Sequence, residues 1–225
     1  MQKTTQTQWL LYCRAGFEQD CAQEALRQAK QQKPIVGVEQ PDVVADSAYA
    51  LVSINEQALN YRELIFARQL IRLHSIIANL PERDRLTPIL DAIAALPGTF
   101  GALWLEVPDT NEGKLLSAFT RRFQPLLETA LREQGRLQDD AHTTRLHIFF
   151  PDRHSALVGS SDPRNSAAAI MGIVRQAMPA EAPSRSTMKL AEAIEVFMDR
   201  SEQTRLLRQG MHAVDLGAAP GGWTW

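Results

Sequence analysis

The sequence has few of the features that identify secreted, membrane or metal-binding proteins. It contains two cysteines in 225 residues. Because Cys13 and Cys21 form neither a C-x-x-C pair nor a Cys/His ligand pattern, we expect free thiols in a reducing cytoplasm and no disulfide framework. The five histidines also lack the spacing of metal ligands. No metal is therefore predicted.

Long apolar runs and an excess of one charge are also missing. No segment approaches the ~20 apolar residues of a membrane span, and the polar first eight residues lack the apolar core of a signal peptide. We therefore expect a cytoplasmic protein with no membrane partner. Charged residues make up 22% and hydrophobic residues 44% of the chain, as in globular proteins. With a net charge of −2, any surface that binds nucleic acid must concentrate its cations locally.

Residues 211–223 carry the clearest functional pattern. Residues 212–215, read as a short strand, end at Asp215, and a glycine-rich turn follows where a helix is expected to begin. Glycine lets a ligand approach the backbone closely, and the N–H groups at a helix N-terminus can bind it. The alternative is an ordinary Gly/Pro turn without a ligand. Such a turn does not require a strand ending in Asp before it.

The order of residues from 215 to 223 is D-L-G-A-A-P-G-G-W. It is neither the dinucleotide pattern G-x-G-x-x-G nor a P-loop, because no Gly-Lys-Ser/Thr follows. Together with residues 182–193, it resembles the FtsJ-like ribose-2′-O-methyltransferases, in which that second segment carries the first lysine of a K-D-K-E tetrad. Patches along nearly the whole chain, such as 11–18, 64–69 and 107–112, resemble the members of the family that methylate a cytidine of large-subunit ribosomal RNA.

The resemblance implies S-adenosylmethionine as the cofactor and gives single residues a role. Lys189 matches the tetrad lysine and is the catalytic candidate, with an ordinary i,i+3 ion pair to Glu192 as the alternative. Asp215 would accept a hydrogen bond from the methionine ammonium, or else cap the turn. The residues that would line the methionine portion are Gly217, Pro220, Gly221, Gly222 and Trp223.

Three blocks are predicted: two α+β domains, then the first elements of an α/β Rossmann-like methyltransferase domain. Residues 1–79 have the β-α-β-β-α-β order of a ferredoxin-like domain, with strands over 9–13, 35–38, 49–54 and 66–77 and helices over 17–30 and 56–64. Residues 80–178 are, by resemblance, a THUMP RNA-binding domain, with helices over 85–96 and 114–134 and strands over 102–107, 146–150 and 155–158. Residues 179–225 comprise a linker, helices over 187–198 and 201–209, and the strand 212–215.

Five basic residues are candidates for RNA contact. Arg68 and Arg72 are spaced to share one face of a predicted strand, and Lys114, Arg121 and Arg122 lie on the predicted long helix. Because most surface charges are simply solvated, RNA binding is a hypothesis for each of them.

These patterns predict the N-terminal part of an S-adenosylmethionine-dependent RNA 2′-O-methyltransferase whose partner is large-subunit ribosomal RNA. The remaining Asp, Lys and Glu of the tetrad are expected after residue 225, so this chain alone is expected to be inactive. Two alternatives stay open: a non-catalytic RNA-binding or interaction module from a truncated methyltransferase, and a different cofactor enzyme that reuses a glycine-rich turn. The target nucleotide and the oligomeric state are not predicted.

Overall fold

The structure is a computed structural model that describes residues 6–32, 41–55 and 59–224. The chain divides into two compact units, Met1–Gly172 and Ile173–Trp225. Among the residues described, no helix is long and apolar enough to cross a membrane. The same residues contain no group of three His, Cys, Asp or Glu side chains arranged to hold a metal ion.

The first half of unit 1 is a ferredoxin-like sheet. Its elements are β1 (Gln6–Tyr12), α1 (Glu18–Gln32), β2 (Asp42–Val43), β3 (Tyr49–Asn55), a 3₁₀ turn (Tyr61–Glu63) and β4 (Gln69–Ile77). Neighbouring strands are antiparallel in the order β2-β3-β1-β4, as a split β-α-β unit requires. The strand predicted over 35–38 lies outside the described residues, as do residues 56–58 of the predicted second helix. The rest of that helix is the 3₁₀ turn.

The second half extends the same sheet. Its elements are α2 (Leu86–Ala94), β5 (Ala102–Glu106), α3 (Asn111–Glu133), β6 (Arg145–Phe149) and β7 (Ala156–Ser161). Strand β7 pairs with β4, so the described strands form a sheet of seven in the order β2-β3-β1-β4-β7-β6-β5, and among them β5 and β6 are the only parallel pair. The helices and strands predicted for this block are confirmed to within a few residues. The two predicted blocks share a sheet.

Two apolar clusters hold the helices on unit 1. One joins α1 to β1, β3 and β4 through small side chains such as Cys21, Ala22 and Ala25, and it contains both cysteines, which are buried and free. The other joins α2 and α3 to β5, β6 and β7. Helix α3 begins where Thr110 accepts a hydrogen bond from the Gly113 N–H, and it fully buries Leu127 and Leu131. Each such leucine contributes about 1.5–3 kcal/mol through burial.

A buried polar network lies on the other face of β5 and β6. The Glu106 carboxylate accepts hydrogen bonds from Tyr12 Oη (2.7 Å) and from the Met171 backbone N–H (2.8 Å), and it lies 2.7 Å from His147 Nδ1. Glu106, His147 and Tyr12 are almost completely buried. The sheet is strongly curved here, since the Tyr12 ring lies 4.9 Å from that of Phe149 although β4 and β7 separate their strands.

Unit 2 contains two helices and turns. Helix α4 spans Ser186–Phe197. Helix α5 spans Arg200–Leu206, and a capping box formed by Asp199 and Glu202 stabilises its start. The prediction of a strand over 212–215 is wrong: these residues are irregular, and unit 2 has no strand among its described residues beside which they could form a ladder. The expected helix after the glycine turn is also absent through residue 224, where turns continue.

Candidate functional site

Unit 2 has an open pocket of about 530 Å³ between the start of α4 and the turns around residue 217. Most of the residues predicted for catalysis and cofactor binding line it. The lining residues are Ser184, Arg185, Ser186, Lys189, Asp215, Leu216, Gly217, Ala218, Ala219, Pro220, Gly222 and Trp223. The structure thus brings together two segments of the chain, one with Lys189 and one with Asp215, and these two residues are 26 positions apart in the sequence. Of the predicted set, Gly221 does not line the pocket.

Hydrogen bonds from the first turn of α4 hold the glycine turn in place. Thr187 Oγ1 donates to the Gly222 carbonyl (2.6 Å), and Trp223 Nε1 donates to the Ser186 carbonyl (2.9 Å). A Cβ built on Gly222 would lie 1.9 Å from Ser186 Oγ and 2.3 Å from Ser184 Oγ. Glycine at this position therefore lets the turn pack directly on the helix start.

Asp215 supplies an acceptor without a partner. Its Oδ2 atom is buried and has no hydrogen-bond partner among the described residues. A buried carboxylate oxygen that makes no hydrogen bond is costly unless a ligand satisfies it. The alternative role, in which this oxygen caps the turn, is not seen for Oδ2. Asp215 is therefore suited to receive a donor group from a bound molecule.

Lys189 lines the same pocket from the first turn of α4. Its side chain is exposed and lines the pocket. No ion pair links it to Glu192 within the described part of the chain, so the structure does not support the simple surface-pair alternative. The amine is positioned where it can meet a ligand in the pocket.

The pocket has a cationic side and an anionic side. Arg185 and the N-terminus of the 12-residue helix α4 supply positive charge and partial positive charge, whereas Asp215 supplies a carboxylate. These opposite charges are complementary to a ligand that carries the ammonium and the carboxylate of an amino acid. The sequence analysis did not assign Ser184, Arg185 and Ser186 to the site. A sequence signal for these residues did exist: short polar residues stand before the helix, which is typical of a helix N-terminus.

The five RNA candidates occupy different environments on unit 1. Arg68 precedes β4 instead of lying on it, so the prediction that it shares a strand face with Arg72 is wrong. Its guanidinium is half-buried in an ion pair with Asp109 (2.9 Å). Arg72 is exposed on β4, and Lys114, Arg121 and Arg122 are exposed on α3.

Three family models match the chain and cover most of it. The model described as RlmM ferredoxin-like domain matches residues 6–71, and the one described as ribosomal RNA large subunit methyltransferase M, N-terminal, matches residues 84–162. The model described as FtsJ-like methyltransferase matches residues 182–225, which contain the pocket. Together the three models match segments in both units of the chain.

Relatives extend this match to nearly the full chain. Proteins named ribosomal RNA large subunit methyltransferase M are 48% identical in Laribacter hongkongensis and 44% identical in Methylococcus capsulatus. The alignments cover 96% and 99% of this chain but 61% and 63% of those proteins. The chain is thus similar over nearly its whole length to proteins of that name, and it spans about three fifths of the length of the relatives it matches.

Similarity to solved structures is weaker. TrmN from Thermus thermophilus is 19% identical over 68% of this chain and 45% of that protein, with a TM-score of 0.41. A similarity at this level decides nothing about the site.

Proposed function

We propose that the protein to which this chain belongs is an S-adenosylmethionine-dependent methyltransferase that modifies the ribose 2′-oxygen of a cytidine in large-subunit ribosomal RNA. The observation that supports this most directly is the pocket of unit 2, where Lys189, Asp215 and the glycine turn lie together within the segment that matches the FtsJ-like family model. The names of the relatives supply the RNA class.

The residues of the pocket fit the methionine portion of this cofactor. Asp215 Oδ2 lacks a partner and would accept a hydrogen bond from the ammonium group. Arg185 and the start of α4 would face the carboxylate, and Gly217, Pro220, Gly222 and Trp223 would enclose the chain between them. Gly221 would act through the turn, since its φ of 93° belongs to the left-handed region that favours glycine.

The proposed role of Lys189 follows from the chemistry of a ribose hydroxyl. When bound, the cofactor supplies an electrophilic methyl group on a sulfonium. The 2′-hydroxyl is a weak acid and a poor nucleophile, so a neighbouring amine that takes its proton, or an ammonium that stabilises the developing alkoxide, would speed the attack. Lysine suits either role because its pKa moves readily beside other charges.

We infer that RNA binds to unit 1 through exposed cations. Arg72, Lys114 and Arg121 are well placed for phosphate contacts because their side chains are exposed. Arg68 is less suited, since Asp109 holds its guanidinium. Arg122 lines an apolar groove on α3.

Methyl transfer from a labelled donor tests the proposal. The protein extended to the full length of its relatives is incubated with large-subunit ribosomal RNA that was transcribed in vitro, and the RNA is then digested to nucleosides. We expect label in 2′-O-methylcytidine. Label in a base, or label at another ribose, would contradict the proposed reaction. RNA binding without any transfer would favour the non-catalytic module.

A further inference from the structure

Helix α3 forms one wall of a second open pocket, of about 500 Å³, on unit 1. We call it the α3 groove. Six of the residues that line it are apolar and three are arginines: Leu115, Leu116, Ala118, Phe119, Phe123 and Leu126, with Arg85, Arg122 and Arg153. The groove is separate from the pocket of unit 2 and has no part in the proposed methyl transfer.

The apolar side chains of the groove are exposed to an unusual degree. Leu115 is 73% and Leu126 is 60% exposed, and both lie on the same stripe of α3 as Phe119. Clustered large apolar side chains on a surface are a mark of interaction sites. Phe119 packs against the core through Phe123 (5.3 Å) and Phe150 (5.2 Å), whereas Leu115 and Leu126 belong to neither apolar cluster and remain exposed.

The rim of the groove has one sign of charge. Arg122 follows Leu115 and Phe119 at helical spacing, so it stands on the apolar stripe. Arg85 is held over the Phe119 ring (4.9 Å) and donates to the backbone carbonyls of Glu82 (2.9 Å) and Arg153 (3.3 Å). No carboxylate lines the groove.

The two carboxylates closest in sequence to the rim accept backbone hydrogen bonds in their own turns. Asp84 accepts one from the Thr87 N–H (3.0 Å), and Asp152 accepts one from the His154 N–H (2.6 Å). The residues that line the groove thus include three arginines and no acid. An occupant of the groove should carry negative charge.

The apolar floor favours a protein over a nucleic acid. Single-stranded RNA binds by stacking its bases on exposed aromatic faces, but Arg85 already covers the Phe119 ring, and the most exposed large apolar side chains of the groove are leucines. An amphipathic helix places apolar side chains into such a groove at positions i, i+3, i+4 and i+7. We propose that the α3 groove docks an acidic amphipathic helix of a partner protein.

Designed peptides test this proposal on the 225-residue chain. The probe is a fluorescent alanine-based helix of 18 residues with leucines on one face and glutamates beside them. Its matched control has lysines in place of the glutamates, and a single-stranded RNA of 12 nucleotides is the third probe. Amide chemical shifts of the labelled protein show where each probe binds.

We expect the glutamate peptide to change the amide chemical shifts of residues 115–126 and 153. It should bind at least about tenfold more tightly than the lysine peptide, because the lysines of the control are repelled by the arginines of the rim. Leu126→Ser should abolish this binding. Arg122→Glu should weaken it about five- to tenfold, whereas Arg121→Glu, which changes the neighbouring residue outside the groove, should alter it less than twofold. Leu126, Arg121 and Arg122 are exposed, so helix content should be unchanged in all three variants.

Three results would overturn the proposal. One is failure of the glutamate peptide to bind, or binding that Leu126→Ser leaves intact. Another is RNA that shifts the same amides more strongly than the peptide does, which would assign the groove to nucleic acid. The third is self-association of the chain that Leu126→Ser removes, which would assign the groove to a second copy.

Discussion

Single residues determine what the pocket of unit 2 can bind. Lys189, Asp215, Gly217, Pro220, Gly222 and Trp223 all line it, and the sequence pointed to them because the motif specifies residue type and spacing. Arg185 was missed, since a lone arginine before a helix has no motif. Arg68 was placed on the wrong element because its role depended on where β4 begins, and a strand boundary is poorly fixed by alternation alone.

Asp215→Ala should weaken the binding of S-adenosylhomocysteine to the full-length protein about 10- to 100-fold. The reason is the loss of a charge-assisted hydrogen bond to the ammonium, worth roughly 1.5–3 kcal/mol. Isothermal titration calorimetry measures the affinity. Glu192→Gln is the matched control, because it removes an exposed acid on α4 that does not line the pocket. Equal affinities for the wild type and Asp215→Ala would exclude this contact.

At the scale of elements, periodicity predicted most helices and strands of unit 1. Helix α3 was predictable because its apolar residues repeat at helical spacing after a threonine cap. The strand over 212–215 was predicted from its apolar residues alone, but a strand also needs a neighbour for its backbone groups, and none lies beside it in the described part of unit 2. No sequence pattern could show that Tyr12, Glu106 and His147 meet, since 94 positions separate the first two.

This network predicts a loss of stability at alkaline pH. Burial, together with the Glu106 carboxylate, holds the pKa of Tyr12 well above its usual value. Below about pH 10 the phenol keeps its proton in both the folded and the unfolded chain. Above that pH the unfolded chain releases the proton and the folded chain retains it, so the free energy of unfolding falls by up to about 1.4 kcal/mol per pH unit for this group.

Urea unfolding of the 225-residue chain between pH 9 and 11 measures the effect. Tyr12→Phe should lower the stability at neutral pH by about 1–3 kcal/mol, because Glu106 loses a donor, and should flatten the alkaline decline. Tyr49→Phe is the comparison at neutral pH: the Tyr49 ring also packs on Phe149, but its removal takes no donor from Glu106. Because burial raises the pKa of Tyr49 as well, this variant should also flatten the alkaline decline. If the free energy of unfolding falls with pH at the same slope in Tyr12→Phe and in the wild type, the Tyr12 phenol does not titrate as described.

At the scale of the whole molecule, the sequence suggested two N-terminal blocks, and the structure joins their strands in one sheet through β4 and β7. Each block has its own periodicity and its own apolar cluster. The pairing between β4 and β7 depends on contacts between residues that are 79 to 88 positions apart, and local patterns carry no information about it.

A fragment that ends at Gly172 should therefore fold cooperatively, with a single urea transition by circular dichroism and by tryptophan fluorescence. A fragment that ends at residue 79 should be less stable or should self-associate, because β4 would be an uncovered edge strand. A stable, monomeric fragment 1–79 with the same transition midpoint as the longer one would show that the shared sheet contributes little.

The most direct test of the proposed site is the single-turnover rate of methyl transfer by full-length protein with Lys189→Ala. Lys189 would act on the ribose and not on the methionine portion. The rate should therefore fall by at least ~10²-fold, because an interaction that is stronger in the transition state than in the ground state lowers the barrier of the chemical step. The affinity for S-adenosylmethionine should stay within about twofold of the wild type. Glu192→Ala, three residues along α4, should leave both values unchanged. A Lys189→Ala rate close to that of the wild type would contradict the assignment of this pocket as the catalytic site.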